Sequence, residues 1–219
     1  MADFDNRLMR GPATIADTMD TGLRAHMLRV YNYMTGALAL TGLVAYVVAN
    51  TPALLNAFYQ ETLTANGVAL SPTILGWVVM LAPLAMVFFL SFRIMQMSQA
   101  AAQATFWTYA ALTGASLASI LIVYTGASVA MTFFVTAATF GAMSLYGYTT
   151  KRDLTGFGNF LFMGLIGILL ASLANFFFKS PAINFVVSVL GVLIFTGLTA
   201  WDTQKIKNTY YAVGGDAAV

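Results

Sequence analysis

The chain has 219 residues, 59% of them apolar and 8% charged, with ten Lys and Arg against eight Asp and Glu. A typical globular domain carries roughly 25% charged residues, so a soluble fold of this length lacks the charge to cover its surface and lipid must be the solvent for much of it. The net charge of +2 comes without a broad basic patch, which argues against nucleic acid as a partner, and the absence of cysteine removes disulfides, thiolate metal sites and cysteine nucleophiles together.

Residues 1–29 read as a polar N-terminal tail. It mixes Asp3, Asp5, Asp17 and Asp20 with Arg7 and Arg10 and holds the single histidine, His26. It has no apolar core of a cleavable signal, so the first membrane helix is expected to serve as its own insertion signal. Six apolar runs follow, at about Val30–Ala49, Thr73–Phe92, Ala102–Tyr124, Ala127–Tyr148, Phe157–Phe178 and Ala182–Trp201. Each has about 20 residues, enough at 1.5 Å per residue to cross a hydrocarbon layer of ~30 Å. The alternation of ~10-residue stretches that marks a transmembrane β-barrel is not seen. The expected fold is an all-α integral membrane protein: residues 30–207 form a bundle of six transmembrane helices, and residues 208–219 a Gly-containing C-terminal tail.

Lys and Arg set the orientation. With the N-terminus in the cytoplasm, Arg7, Arg10, Arg24, Arg29, Arg93, Lys151, Arg152, Lys205 and Lys207 all lie inside, and Lys179 alone lies outside. The outer segment Asn50–Pro72 is expected to hold a short interfacial helix around Leu54–Leu63. Small residues suggest close helix approach, through Gly164, Gly167, Ala171 and Ala174 on the fifth helix and Ala111, Ala115 and Ser119 on the third. Asn159 and Asn175 are candidates for hydrogen bonds between helices. Trp77, Trp107, Tyr109 and Tyr124 read as aromatic belt residues.

The catalytic motifs of soluble enzymes are missing, and neither paired acids nor a Ser/His arrangement lies inside the spans, so no enzymatic activity is expected. Asp202 stands out, because it follows directly on the sixth run in Trp201-Asp202-Thr203-Gln204-Lys205-Ile206-Lys207. A helix ending there would place a carboxylate at the unfavourable end of its macrodipole. The residue therefore needs a partner or a continuing helix. One reading is an interfacial anchor paired with Lys205 at i+3. The other is a charged latch with Arg93, which protonation or a bound cation would release. Arg93 itself also reads as an ordinary positive-inside anchor. Asp153 reads as a capping or salt-bridging residue in the Lys151-Arg152-Asp153 turn.

Thr150-Lys151-Arg152-Asp153-Leu154, the apolar helix after it, and the Asp202-x-Gln204-x-Ile206 pattern that ends the sixth run resemble the Bax inhibitor-1/YccA family over about Arg24–Lys207. The resemblance implies a membrane protein of the bacterial inner membrane. It implies a pH-sensitive calcium leak, with calcium as transported ion rather than cofactor, gated by Asp202 and Arg93, with Gln204, Lys205 and Asp153 as supporting positions and Asp202 as the calcium-facing carboxylate. It also implies an alternative, a modulator or substrate of the membrane-anchored AAA protease FtsH. Eukaryotic relatives are cell-death suppressors. The family pattern has a seventh helix with a second aspartate, and the run to Val219 contains no seventh apolar stretch. The two-aspartate sensor is thus expected to be incomplete, and a calcium site short of the six to eight oxygens that ion takes.

Overall fold

The computed structural model describes residues 12–64 and 67–212, and side chains over 21–62 and 70–212. Asp3, Asp5, Arg7, Arg10 and Asp216, and the side chains of Asp17 and Asp20, lie outside the described set.

In chain order the elements are α1 (Pro12–Asn50), α2 (Pro52–Phe58), β1 (Tyr59–Thr64), β2 (Gly67–Pro72), α3 (Ile74–Arg93), α4 (Gln99–Val123), α5 (Gly126–Thr149), α6 (Thr155–Phe178) and α7 (Pro181–Ala212). A single 3-10 turn, Ile94–Gln96, follows α3. Six of the helices are long and apolar enough to cross a membrane. Together they bear out the six-helix membrane fold. The middle four begin and end within three residues of the apolar runs that announce them. The first and last overrun theirs: α1 extends back to Pro12 and α7 forward to Ala212. Apolarity marks where lipid begins, whereas a helix continues as long as its polar turns find partners.

The chain divides into two compact units, residues 30–131 and residues 1–29 with 132–219. In the first unit, α4 presents Ala110, Gly114 and Ala118 as its buried face. Gly114 lies against the carbonyl of Thr41 and the side chain of Val44 on α1, and the Thr41 hydroxyl donates to Ala110 O at 2.8 Å. The packed stripe is therefore one residue out of phase with the expected Ala111, Ala115 and Ser119, which are only half-buried. Both stripes have the same four-residue spacing, and composition alone does not choose between adjacent faces. Trp107 departs from its belt assignment: it packs on Tyr33, with ring centroids 6.2 Å apart, and over Gly36. Trp77 and Tyr124 remain exposed, as belt residues should be.

The outer segment corrects the expected helix over Leu54–Leu63. The helix stops at Phe58 and Tyr59 turns extended. β1 then pairs antiparallel with β2, from Tyr59 opposite Pro72 to Thr64 opposite Gly67. Tyr59, Thr62 and Thr64 are strand formers, and the Thr62 and Ser71 hydroxyls bond across the pair at 2.7 Å. Thr73 then caps α3, accepting from Gly76 N at 3.1 Å and donating to Ala57 O at 2.7 Å.

In the second unit, α6 and α7 form an antiparallel pair joined at Lys179, whose φ of 49° is left-handed. Asn175 fixes this end. Its amide donates to Asn184 Oδ1 at 2.7 Å and to Ser180 O at 3.2 Å, while its carbonyl accepts from Ser180 N at 2.8 Å. Asn175 thus makes the interhelical bond expected of it, whereas Asn159 is exposed. The small-residue stripe of α6 behaves otherwise than expected. Gly164 meets Ile194, but a side chain added at Gly167 would meet nothing. Gly164, Gly167 and Ala171 instead line an apolar groove of about 810 Å³ between α6 and α7. Phe160, Met163, Phe176 and Phe177 point outward, as lipid-facing side chains do.

Candidate functional site at the α5–α6 turn and the end of α7

The candidate residues of the second unit gather where the turn between α5 and α6 meets the last part of α7. The positive-inside pattern puts this end in the cytoplasm. α7 runs unbroken for ten residues past Asp202. The carboxylate therefore stands in a helix interior, clear of the macrodipole's negative end. Helical geometry turns Thr203 and Gln204 inward, 4% and 7% exposed, and leaves Asp202 and Lys205 outside.

Gln204 is the centre of the arrangement. Its carbonyl oxygen accepts from the backbone N–H of Leu154 at 2.8 Å, and its amide donates to the carbonyl of Arg152 at 2.7 Å. One side chain thereby replaces the backbone partners that the turn would otherwise lack where α5 ends and α6 begins. Three residues on, the Lys207 ammonium donates to Tyr148 O at 2.8 Å and lies 5.4 Å from the centroid of the Tyr148 ring. That carbonyl belongs to the last turn of α5, where a cation is favoured. Asp153 accepts from Thr155 N at 2.9 Å, which is the capping role expected of it. Bonds from the Thr155 hydroxyl and then its backbone N–H hold the Asp153 carboxyl below its ordinary pKa.

Helix contacts around the clamp are close. Gly147 abuts the Ala200 backbone, and Gly158 lies beneath the Trp201 indole. The Lys205 ammonium sits over the other part of this stack, 5.0 Å from the Trp201 centroid. Further along α7, Tyr210 is 4% exposed. Its ring lies 5.2 Å from that of His26, and its hydroxyl fills the space beside Gly22. Leu23 and Met27 are buried on the same stretch of α1, so residues read as a polar tail take part in packing.

Two clefts of about 290 Å³ each share Gln204 as a wall, one bordered by Trp201, Lys205 and Thr209 and the other by Lys151, Arg152 and Lys207. Asp153, Gln204 and Lys205 thus come together around the turn. Arg93 belongs to the other unit, where it is exposed and its guanidinium donates to Gln96 Oε1 at 3.2 Å. Among the described residues no group of three or more His, Cys, Asp or Glu is placed to hold a metal ion. Asp202 is accordingly not part of such a cluster. Reading charges alone missed Trp201, Gly147 and Gly158, and took Lys207 only as a cytoplasmic cation. Trp201 and Lys207 had a signal in the dense motif that ends the sixth apolar run, whereas Gly147 and Gly158 lie inside α5 and α6 and had none.

Comparison with known proteins agrees with this architecture. The family described as Inhibitor of apoptosis-promoting Bax1 matches residues 23–218. A protein of Caulobacter vibrioides is 47% identical over 220 residues, covering 100% of this chain and 87% of its own. Protein RP147 of Rickettsia prowazekii is 47% identical over 201 residues, 91% of this chain and 79% of that protein. The inner membrane protein YbhL of Escherichia coli is 53% identical over 187 residues, 85% of this chain and 75% of its own length. No solved structure matches.

Proposed function

This chain belongs to the Bax inhibitor-1/YccA family and is a multi-pass protein of the bacterial inner membrane, and on that footing we propose that it is a pH-sensitive, calcium-permeable leak channel gated at Asp202. The observation that carries the reading is the position of Asp202. A carboxylate stands on the outer face of a continuous helix, at the cytoplasmic end of its apolar stretch, beside a turn that Gln204 holds to the same helix. Ionisable groups inside transmembrane segments are costly and mark ion or proton pathways, and Asp202 stands at the cytoplasmic edge of such a segment. Protonation of Asp202 changes the charge of α7 by one unit, which suits a gate. Calcium is substrate here and not a resident cofactor. The reading assigns the protein no enzymatic activity.

The test is calcium flux into proteoliposomes across a pH series, with the full chain and its Asp202→Asn variant. A pH-dependent leak that loses its pH response in the variant is the expected result. Unchanged flux and pH dependence in Asp202→Asn would remove the gate from Asp202. Absence of flux from either protein would turn the assignment toward the second reading, a membrane-embedded modulator or substrate of the protease FtsH, which rests on the polar N-terminal segment, Met1 to about Met27, as a handle.

A further inference from the structure

We propose that the cleft between the α5–α6 turn and α7 binds the phosphate-bearing headgroup of an anionic phospholipid. Lys151 and Arg152 from the turn and Lys207 from α7 line it, with Thr150 and Asn208 as further polar groups and Asp153 as the one acid. Two elements far apart in sequence thus bring three cations to one concavity. The carboxylate offsets one of the three charges and leaves a net of two positive, and its bond from Thr155 N at 2.9 Å directs it to the start of α6. Lys207 uses one ammonium proton on Tyr148 O, which leaves two for a ligand. Lys151 and Arg152 are exposed.

The cleft is built and not a chance crowding of mobile lysines. Gln204 bonds the turn at both Arg152 O and Leu154 N, so the backbone bearing Lys151 and Arg152 is fixed to the helix bearing Lys207. The volume of about 290 Å³ equals the space of about ten water molecules. That suits a phosphate with its glycerol or similar substituent, and leaves no room for acyl chains.

Depth selects the lipid over a free anion. The turn joins two helices, Gly126–Thr149 and Thr155–Phe178, that are each long enough to cross the membrane. With only five residues between them it cannot leave the headgroup layer. The cytoplasmic leaflet carries the anionic lipids, and basic pockets between transmembrane helices on that side match their headgroups in charge.

The experiment measures the thermal stabilisation of the purified full chain in mixed micelles as phosphatidylglycerol replaces phosphatidylcholine. The double variant K151Q/R152Q is compared with R24Q/R29Q, which removes equal charge at other exposed cytoplasmic sites. Each cation near the headgroup layer contributes about fivefold in affinity, so K151Q/R152Q should need roughly 25-fold more phosphatidylglycerol for half its effect, with R24Q/R29Q weakened much less. Equal weakening in both pairs, or no preference for phosphatidylglycerol in the parent chain, would overturn the proposal by reducing it to general surface attraction. Inorganic phosphate added in competition should not displace the lipid; if it does so at matching concentration, the ligand is a free anion and the lipid assignment fails. Should the double variant melt before saturation, K151Q alone, with about fivefold weakening, carries the same test.

Discussion

Replacing Gln204 by methionine keeps the length of the side chain and removes both of its hydrogen bonds. The Leu154 N–H is left in a buried setting, since Leu154 is 8% exposed, with no partner in reach once the 2.8 Å bond from Gln204 is gone. A buried backbone donor left unsatisfied costs about 1–3 kcal/mol. The Arg152 carbonyl lies on an exposed residue and can turn to water, so its loss is nearer the net value of one bond, about 1 kcal/mol. The sum is about 2–4 kcal/mol, concentrated in the turn and not spread over the bundle. Hydrogen–deuterium exchange reads such a local cost directly, as a tenfold faster rate for about each 1.4 kcal/mol of opening free energy. Amides between Thr150 and Gly158 should therefore exchange roughly 30- to 700-fold faster in Gln204→Met, with α4 amides unchanged. Lys205→Met, one residue along on the exposed face, serves as the control and should leave the turn protected. If the turn in Gln204→Met exchanges within twofold of the parent chain, the clamp is not what holds it, and the structural account of the motif is wrong.

Glycines at close contacts should separate from those in open space. At Gly147→Ala the new methyl meets the Ala200 backbone, which cannot swing aside, and overpacking costs about 1–3 kcal/mol. At Gly167→Ala it meets nothing, and the helix gains up to about 1 kcal/mol of propensity. Melting in one detergent should show Gly147→Ala lowered by roughly 2–12 °C and Gly167→Ala equal or raised; equal losses would refute the packing. Asp153 gives a pH dependence. Its carboxyl is held below the ordinary value by Thr155, so the folded chain binds that proton less readily than the unfolded one. The contribution is therefore present above roughly pH 4 and lost as pH falls through the depressed value. Exchange in the 150–155 turn should accelerate below that pH, and Asp153→Asn should flatten the dependence. A turn equally labile in the two proteins at every pH would count against the cap.

The sequence made the membrane class and the number of spans legible because both are sums over many residues. Twenty apolar side chains in a row tolerate several misreadings. Helix ends were legible where a breaker stood, as at Pro181 and Thr73, and not where polar residues continued a helix. Nothing local in Asn208-Thr209-Tyr210 says that Tyr210 will be buried against His26. The strand pair over Tyr59–Pro72 was lost to the apolar character of Leu54 and Leu55, which favoured a longer helix. On α4 the period of four was seen but its phase was not, since the choice between Ala110 and Ala111 depends on where Thr41 and Val44 of α1 fall.

The motif after the sixth run shows the same division more sharply. Charge draws attention to Asp202, yet the neutral Gln204 makes the two buried bonds, and their partners lie 50 and 52 residues away. Lys207 reaches back 59 residues. Separations of that size have no periodicity to betray them. What the sequence does carry is the alternation of roles along about two turns of helix: Trp201 over Gly158, Gln204 into the turn and Lys207 onto α5 share the inward side, while Asp202 and Lys205 are left outward. A gate needs a group whose charge can change while its support stays still. Within the seven residues from Trp201 to Lys207 the inward side chains hold the α5–α6 turn to α7, and the proposed gate adds only that the outward Asp202 carries the charge that changes.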